Sequence, residues 1–127
     1  MTKQEALHQF WAGFGIAARE ENSVPDVAIA MTRFDGHYIT YNVPTASINE
    51  TVPIYGNLWY KDTSLEAITL KANEISEALG LAGKRIPFDG GVLWLVRGVP
   101  FAQPVVDDDD TIKHIYINLT AEYISAN

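Results

Sequence analysis

The chain has 127 residues, enough for one domain (1–127) whose core needs no staples, since at this size about two-thirds of the unfolded surface is buried on folding. Hydrophobic residues make up 47% and charged residues 20%, a globular balance that confines disorder to the ends and loops. The net charge of −7, nine Lys and Arg against sixteen acids, disfavours general or specific nucleic-acid binding, and the lack of cysteine excludes disulfides, thiolate metal sites and cysteine nucleophiles.

Lys3 to Arg19 is predicted as a helix, with Ala6, Phe10, Trp11, Phe14 and Ala17 or Ala18 at helical spacing; Gly13 and Gly15 weaken it and mark Phe14 as a break point. The opening residues Met1 to Ala6 hold no apolar run of signal-peptide length, and no segment approaches the ~20 apolar residues of a bilayer span, so no membrane partner is expected. Residues 20 to 36 carry few signals, although Val27 to Met31 suits a short extended piece. His37 to Val43 is rich in β-formers and is expected as a strand, followed by a turn from Pro44 to Glu50. Val52 to Lys61 is a second strand, and Pro53 places its start at an edge.

Thr63 to Leu79 carries the strongest helical pattern. Thr63 and Glu66 form a T-x-x-E capping box, Leu65, Ile68, Ala72, Ile75 and Leu79 form one stripe, and Gly80 supplies the stop. Lys84 to Phe88 and Val92 to Arg97 are strands joined by the hairpin signal Asp89-Gly90-Gly91, and the unbroken apolar run of the second predicts burial on both faces. Residues 98 to 110 read as a Gly/Pro-punctuated loop ending in four aspartates. Thr111 to Ile124 then alternates, with Ile115, Ile117, Leu119, Ala121 and Tyr123 on one side. The expected architecture is α+β: a mostly antiparallel sheet of four to five strands with two helices packed on one face.

Chemistry-bearing motifs are scarce. His8, His37 and His114 are far apart and fit no zinc-protease spacing; Gly13-Phe14-Gly15 follows a helical stretch and precedes no Lys-Ser/Thr. Asp107, Asp108, Asp109 and Asp110 are consecutive, whereas a calcium loop needs alternate acids, a central Gly and a Glu at its twelfth position, so they suit a solvated loop or a partner-facing patch better than a metal site. Glu74, Glu77 and Glu122 are explained by helix and strand surfaces. No catalytic residue, metal or cofactor is expected. Trp11 and Trp94 fall in apolar stretches and are assigned to the core. Trp59 shares a strand face with Tyr55, which leaves two readings: cross-strand packing under a helix, or a subunit interface, where Tyr, Trp and Arg are favoured.

Several stretches, in order, resemble the small tail terminator (tail completion, minor tail) proteins of long-tailed bacteriophages and prophages of Gram-positive bacteria. They are Trp11 with Phe14-Gly15-Ile16, Tyr38 to Val43, Leu58-Trp59-Tyr60 running into Thr63-Ser64, Lys71 to Ile75, Gly90-Gly91, Arg97 to Gln103, the Asp run, Lys113 to Asn118, and Tyr123. The resemblance covers nearly the whole chain. It implies an α+β domain that assembles as a hexameric ring at the head-proximal end of the tail, stops tube growth and presents a surface to the head. Implied partners are further copies of the chain, the tail tube protein and the head connector protein; the implied location is the virion tail, and the host cytoplasm during assembly. It implies neither enzymatic activity nor a cofactor. In that family a basic residue often follows the Phe-Ala-Gln element; Pro104 stands there in this chain, so no charge role is carried over.

On this reading Arg97, Phe101, Gln103, Asp107, Asp108, Asp109, Asp110, Tyr55 and Trp59 are the candidate interface residues. Phe101 and Gln103 project from a loop, and the carboxylates face Lys61, Lys84, Arg85 or Arg97 of a neighbour, or line a rim or lumen past which DNA slides. The alternatives are another head–tail connector or minor tail component of similar fold and, as a different class of function, a non-enzymatic host adaptor domain that binds one protein partner through residues 98 to 110.

Overall fold

The computed structural model describes residues 1–24, 26–44 and 50–125. Helix α1 spans Lys3–Ala12. It starts at a capping box in which Thr2 Oγ1 accepts from the Glu5 amide at 3.1 Å and Glu5 Oε1 accepts from the Thr2 amide at 3.0 Å. The expected continuation to Arg19 does not form. The helix stops at Gly13, Gly15 turns the backbone at φ +78°, and Ala17–Glu20 becomes strand β1. Two glycines within three residues remove helical support, while pairing with a neighbouring strand satisfies the next backbone groups.

A 3-10 turn at Glu21–Ser23 leads to helix α2, Val27–Arg33, where the sequence suggested an extended piece. The Asp26 side chain caps it by accepting from the Ile29 amide at 3.1 Å. Strands β2 (His37–Tyr41) and β3 (Thr51–Lys61) follow; of the expected turn between them, residues 45–49 lie outside the described residues. Pro53 stands beyond the end of the β2 ladder, where Tyr41 faces Gly56, so its missing N–H interrupts no β2–β3 bond. Helix α3 is Glu66–Leu79. Thr63 does not cap it: Ser64 Oγ accepts from the Glu66 amide at 3.1 Å, and Asp62 in turn accepts from the Ser64 amide. Gly80 ends the helix at φ +68°.

Strand β4 (Lys84–Phe88) joins β5 (Gly91–Val105) through the expected Asp89-Gly90 turn. β5 corrects the sequence reading most. The stretch expected as a loop from residue 98 is strand as far as Val105, with a register shift against strand β6 (Ile112–Ser125) between Arg97 and Ala102. The Val99–Pro100 peptide at this bulge is cis. Beyond Leu95, β5 outruns β4 and among the described residues is flanked by β6 alone, so Pro100 and Pro104 sit on a sheet edge, the place a strand tolerates proline. Nor is Val92 to Arg97 buried on both faces: Leu93 and Leu95 are buried, while Val92, Trp94 and Val96 are half-buried.

The sheet has six strands in the order β1-β2-β3-β6-β5-β4. Among the described residues all neighbours are antiparallel except the β1–β2 pair, and three α-helices pack on the six strands, where four to five strands and two helices were expected. One face carries Ile39, Leu58, Ile117, Leu95 and Ile86 and is covered by α1 (Leu7, Phe10, Trp11) and α3 (Ile68, Ile75, Leu79) in a single core. Each fully buried large apolar side chain there is worth about 1.5–3 kcal/mol. α2 packs instead against alternate residues, with Ala30 and Met31 on Tyr38 and the half-buried Trp59.

Trp11 is the deepest aromatic. Its ring stacks on Tyr41 at 6.2 Å and meets Phe10 edge-on, and its indole N–H has no hydrogen-bond partner among the described residues. That orphan donor costs about 1–3 kcal/mol, which burial of the indole outweighs.

Candidate assembly surface

Among the described residues, α2 covers only the β2 end of the second sheet face. The rest, from β3 to β4, presents Tyr55, Asn57, Tyr116, Asn118, Thr120, Glu122, Val96 and Trp94 at half-burial. Trp94, expected in the core, lies here beneath the Arg85 guanidinium, 5.4 Å from its ring centre. Tyr55 stacks on Tyr116 at 5.4 Å and donates to Glu21 Oε1 at 2.7 Å; that bond to a carboxylate is the main reason its phenol is pushed up to about 12. Trp59 is engaged within the chain. It stacks between Tyr38 (6.1 Å) and His114 (3.9 Å), and its indole N–H reaches Thr40 Oγ1 at 3.3 Å.

The remaining candidates do not converge on one site. Arg97 points to the core side, where it donates to Ser76 Oγ on α3 at 2.9 Å. Phe101 does not project; it is half-buried against the core. Gln103 is exposed opposite Tyr116. The aspartates form a self-bonded turn: Asp107 accepts from the Asp109 amide at 3.0 Å, and Asp109 accepts from both the amide (2.8 Å) and hydroxyl (2.7 Å) of Thr111. The Thr111 bonds hold the Asp109 carboxyl below the usual carboxylate range. Asp108, Asp109 and Asp110 are exposed, and Asp107 is half-buried.

Among the described residues, no cluster of three or more His, Asp and Glu is placed to hold a metal ion, and no helix is long and apolar enough to cross a membrane. Sequence reasoning missed the apolar side chains presented to solvent, above all Leu81 at 94%, Val106 at 96% and Val99 at 99% exposure. The available signal for Leu81 was its place inside Gly80-Leu81-Ala82-Gly83, a turn sequence with an apolar tip.

His114 gives the surface a pH dependence. Its Nε2 lies 2.6 Å from Asn57 Oδ1, and burial lowers its pKa below the ordinary imidazole value against a smaller opposing pull from Asp107. The neutral ring is therefore the folded form. Its contribution is complete above the unfolded value of about 6.5 and is lost as pH falls below it towards the lowered folded value. Melting curves should fall less between pH ~6.5 and ~5 for His114→Gln than for the parent, and identical acid arms would refute the assignment.

No family model and no curated protein matches the sequence. The fold, however, is that of a virion chain. A solved structure described as the virion of a native gene transfer agent (GTA) particle contains a chain that superposes with a TM-score of 0.59. The match covers 95% of this chain and 93% of that one at 17% sequence identity. The match therefore spans nearly the whole length of both chains.

Proposed function

We propose that this chain is a structural component of a phage-like virion: a tail terminator that closes the tail tube as a hexameric ring and joins it to the head. The observation that carries the reading is fold likeness, nearly end to end, to a chain of a virion particle. The ordered residues from Trp11 to Tyr123 that resemble tail terminators support the finer assignment. Partners on this reading are further copies of the chain, the tail tube protein and the head connector protein. The function is mechanical and needs no reacting centre.

Closed rings require heterologous contacts, in which one patch meets a different patch on the next copy. The uncovered sheet face with Tyr55, Tyr116 and Gln103, and the exposed aspartates, supply distinct surfaces for neighbours above, below and beside the ring. The aspartates suit a rim or lumen, because burying unpaired carboxylates is costly. An adaptor that binds one partner through residues 98 to 110 would do so with a strand margin as far as Val105 and a loop only beyond it.

Immunogold labelling of assembled particles tests the reading. The expected result is label at the junction of head and tail, with disrupted genes giving overlong tails and unjoined heads. Label along the tube, at the distal tip or on no particle would overturn it.

A further inference from the structure

The strand order places β1 and β4 at the two ends of the sheet, and the surfaces beside them are complementary. Beside β4, the Gly80–Gly83 turn holds an apolar knob. Gly80 and Gly83 both adopt positive φ, and a side chain at Gly83 would collide with Leu95 O at 2.5 Å. Trp94 Nε1 donates to Ala82 O at 2.9 Å, so the turn is pinned while Leu81 stands 94% exposed at its tip. Lys84 and Arg85 follow directly. Both are exposed, and the ion pairs among the described residues, Met1–Asp89 and Lys71–Glu74, include neither.

Beside β1 lies a groove of about 610 Å³ between α1 and the β1–β2 edge. His8, Gln9, Tyr41 and Val43 line it, with His8 Nδ1 fixed 2.7 Å from the Tyr41 hydroxyl. Its charged members are Glu5 and Glu20, along with a Met1 ammonium already neutralised by Asp89 at 2.7 Å. Glu5 and Glu20 accept hydrogen bonds from amide groups, at Thr2 and Asn22, and neither is in an ion pair among the described residues; the Thr2 bonds chiefly, with a smaller pull from the Met1 ammonium, hold the Glu5 carboxyl below its usual range.

We infer that copies of this chain associate head to tail, the Leu81 knob of one copy seating in the α1–β2 groove of the next, with Lys84 and Arg85 against Glu5 and Glu20. The inference deepens the self-assembly part of the proposed function and rests on it. A second copy is the fitting occupant because apolar tip and apolar groove, two cations and two anions, are carried by the same chain. A molecule of net charge −7 repels its copies, and contact needs local basic groups; the exposed Lys84 and Arg85, on opposite sides of the β4 edge with Arg85 over the Trp94 ring, provide them. The pinned turn also loses little freedom on docking. Because knob and groove lie beside opposite end strands of the sheet, a contact that uses one of each leaves a free groove and a free knob for further copies.

The absence of cysteine gives a clean test. Leu81→Cys protein is mixed with Gln9→Cys protein under mild oxidation, with Thr69→Cys, exposed on α3, as the control partner. The expected result is rapid Leu81–Gln9 cross-linking and little with Thr69→Cys. In sedimentation equilibrium from micromolar to millimolar protein, Leu81→Asp and Lys84→Glu/Arg85→Glu should each weaken association by roughly 30-fold or more. A monomer at every concentration, association indifferent to these substitutions, or equal cross-linking to the control would overturn the inference. Each of those results leaves the head–tail junction label unaffected, so failure here is separable from failure of the virion reading.

Discussion

Gly56→Val should lose at least ~3 kcal/mol of stability, a fall in Tm of about 10 °C or more, or fail to fold. A side chain at Gly56 would begin 2.5 Å from Trp11 Cη2 and 2.7 Å from Cζ3. Neither side can yield. Trp11 is fully buried against Tyr41, and Gly56 sits in the middle of β3 with Tyr41 on one flank and Ile117 on the other. Valine's gain in strand preference, up to ~1 kcal/mol, and the removal of glycine's excess entropy, ~0.5–1 kcal/mol, oppose this collision but are smaller than it. Urea unfolding followed by far-ultraviolet circular dichroism measures the loss. Adding Trp11→Leu to Gly56→Val should recover part of it, so that the double variant is more stable than the two single losses predict. Strict additivity would show that packing against Trp11 is not the cause.

Trp59→Ala should cost about 2–4 kcal/mol, below the full range for a buried tryptophan because Trp59 is only half-buried. The loss should also be uneven. α2 has seven residues, too few to persist alone, and it is held by a small cluster around Ala30, Met31, Tyr38 and Trp59. Removing the indole takes away both its ring stacks, on Tyr38 and on His114. Hydrogen exchange should show the amides of Val27–Arg33 losing protection while α3 keeps its own. Uniform loss across both helices would mean that α2 and the main core form one cooperative unit.

Much of the fold was legible because its strongest elements satisfy one period each. α3 carries a clean helical stripe, β6 alternates without interruption, and the Asp89-Gly90 turn names its hairpin. The misreadings arise where strand pairing, a local cap or edge placement overrode residue-level preference. Ala17 and Ala18 favour helix in isolation, yet they complete a parallel ladder with Tyr38 and Ile39. Val27 and Ile29 favour strand, yet Asp26 caps them into a helix too short to show a period. Gly98, Pro100 and Pro104 read as loop because proline breaks a central ladder, and nothing in the sequence says that this stretch lies on an edge.

The candidate surface was less legible for a related reason. Tyr55 and Trp59 share a strand face, but α2 claims Trp59 and leaves Tyr55 half-open, a distinction that depends on a helix the pattern did not reveal. Phe101 looked free because its segment looked free. Leu81 looked unremarkable because exposure of an apolar tip is set by the turn that holds it, and a residue-by-residue pattern does not carry that geometry.

The open margin of β5 has a consequence for the life of the protein before it meets its partners. Unpaired strand margins recruit one another and seed fibrous deposits. Here proline at positions 100 and 104 breaks the run of donors that such growth would template, and at the opposite margin the Arg19 guanidinium occupies the carbonyl of Ala18 at 2.8 Å. Both features shrink the stretch of bare backbone open to a stray strand, and so leave association to side chains.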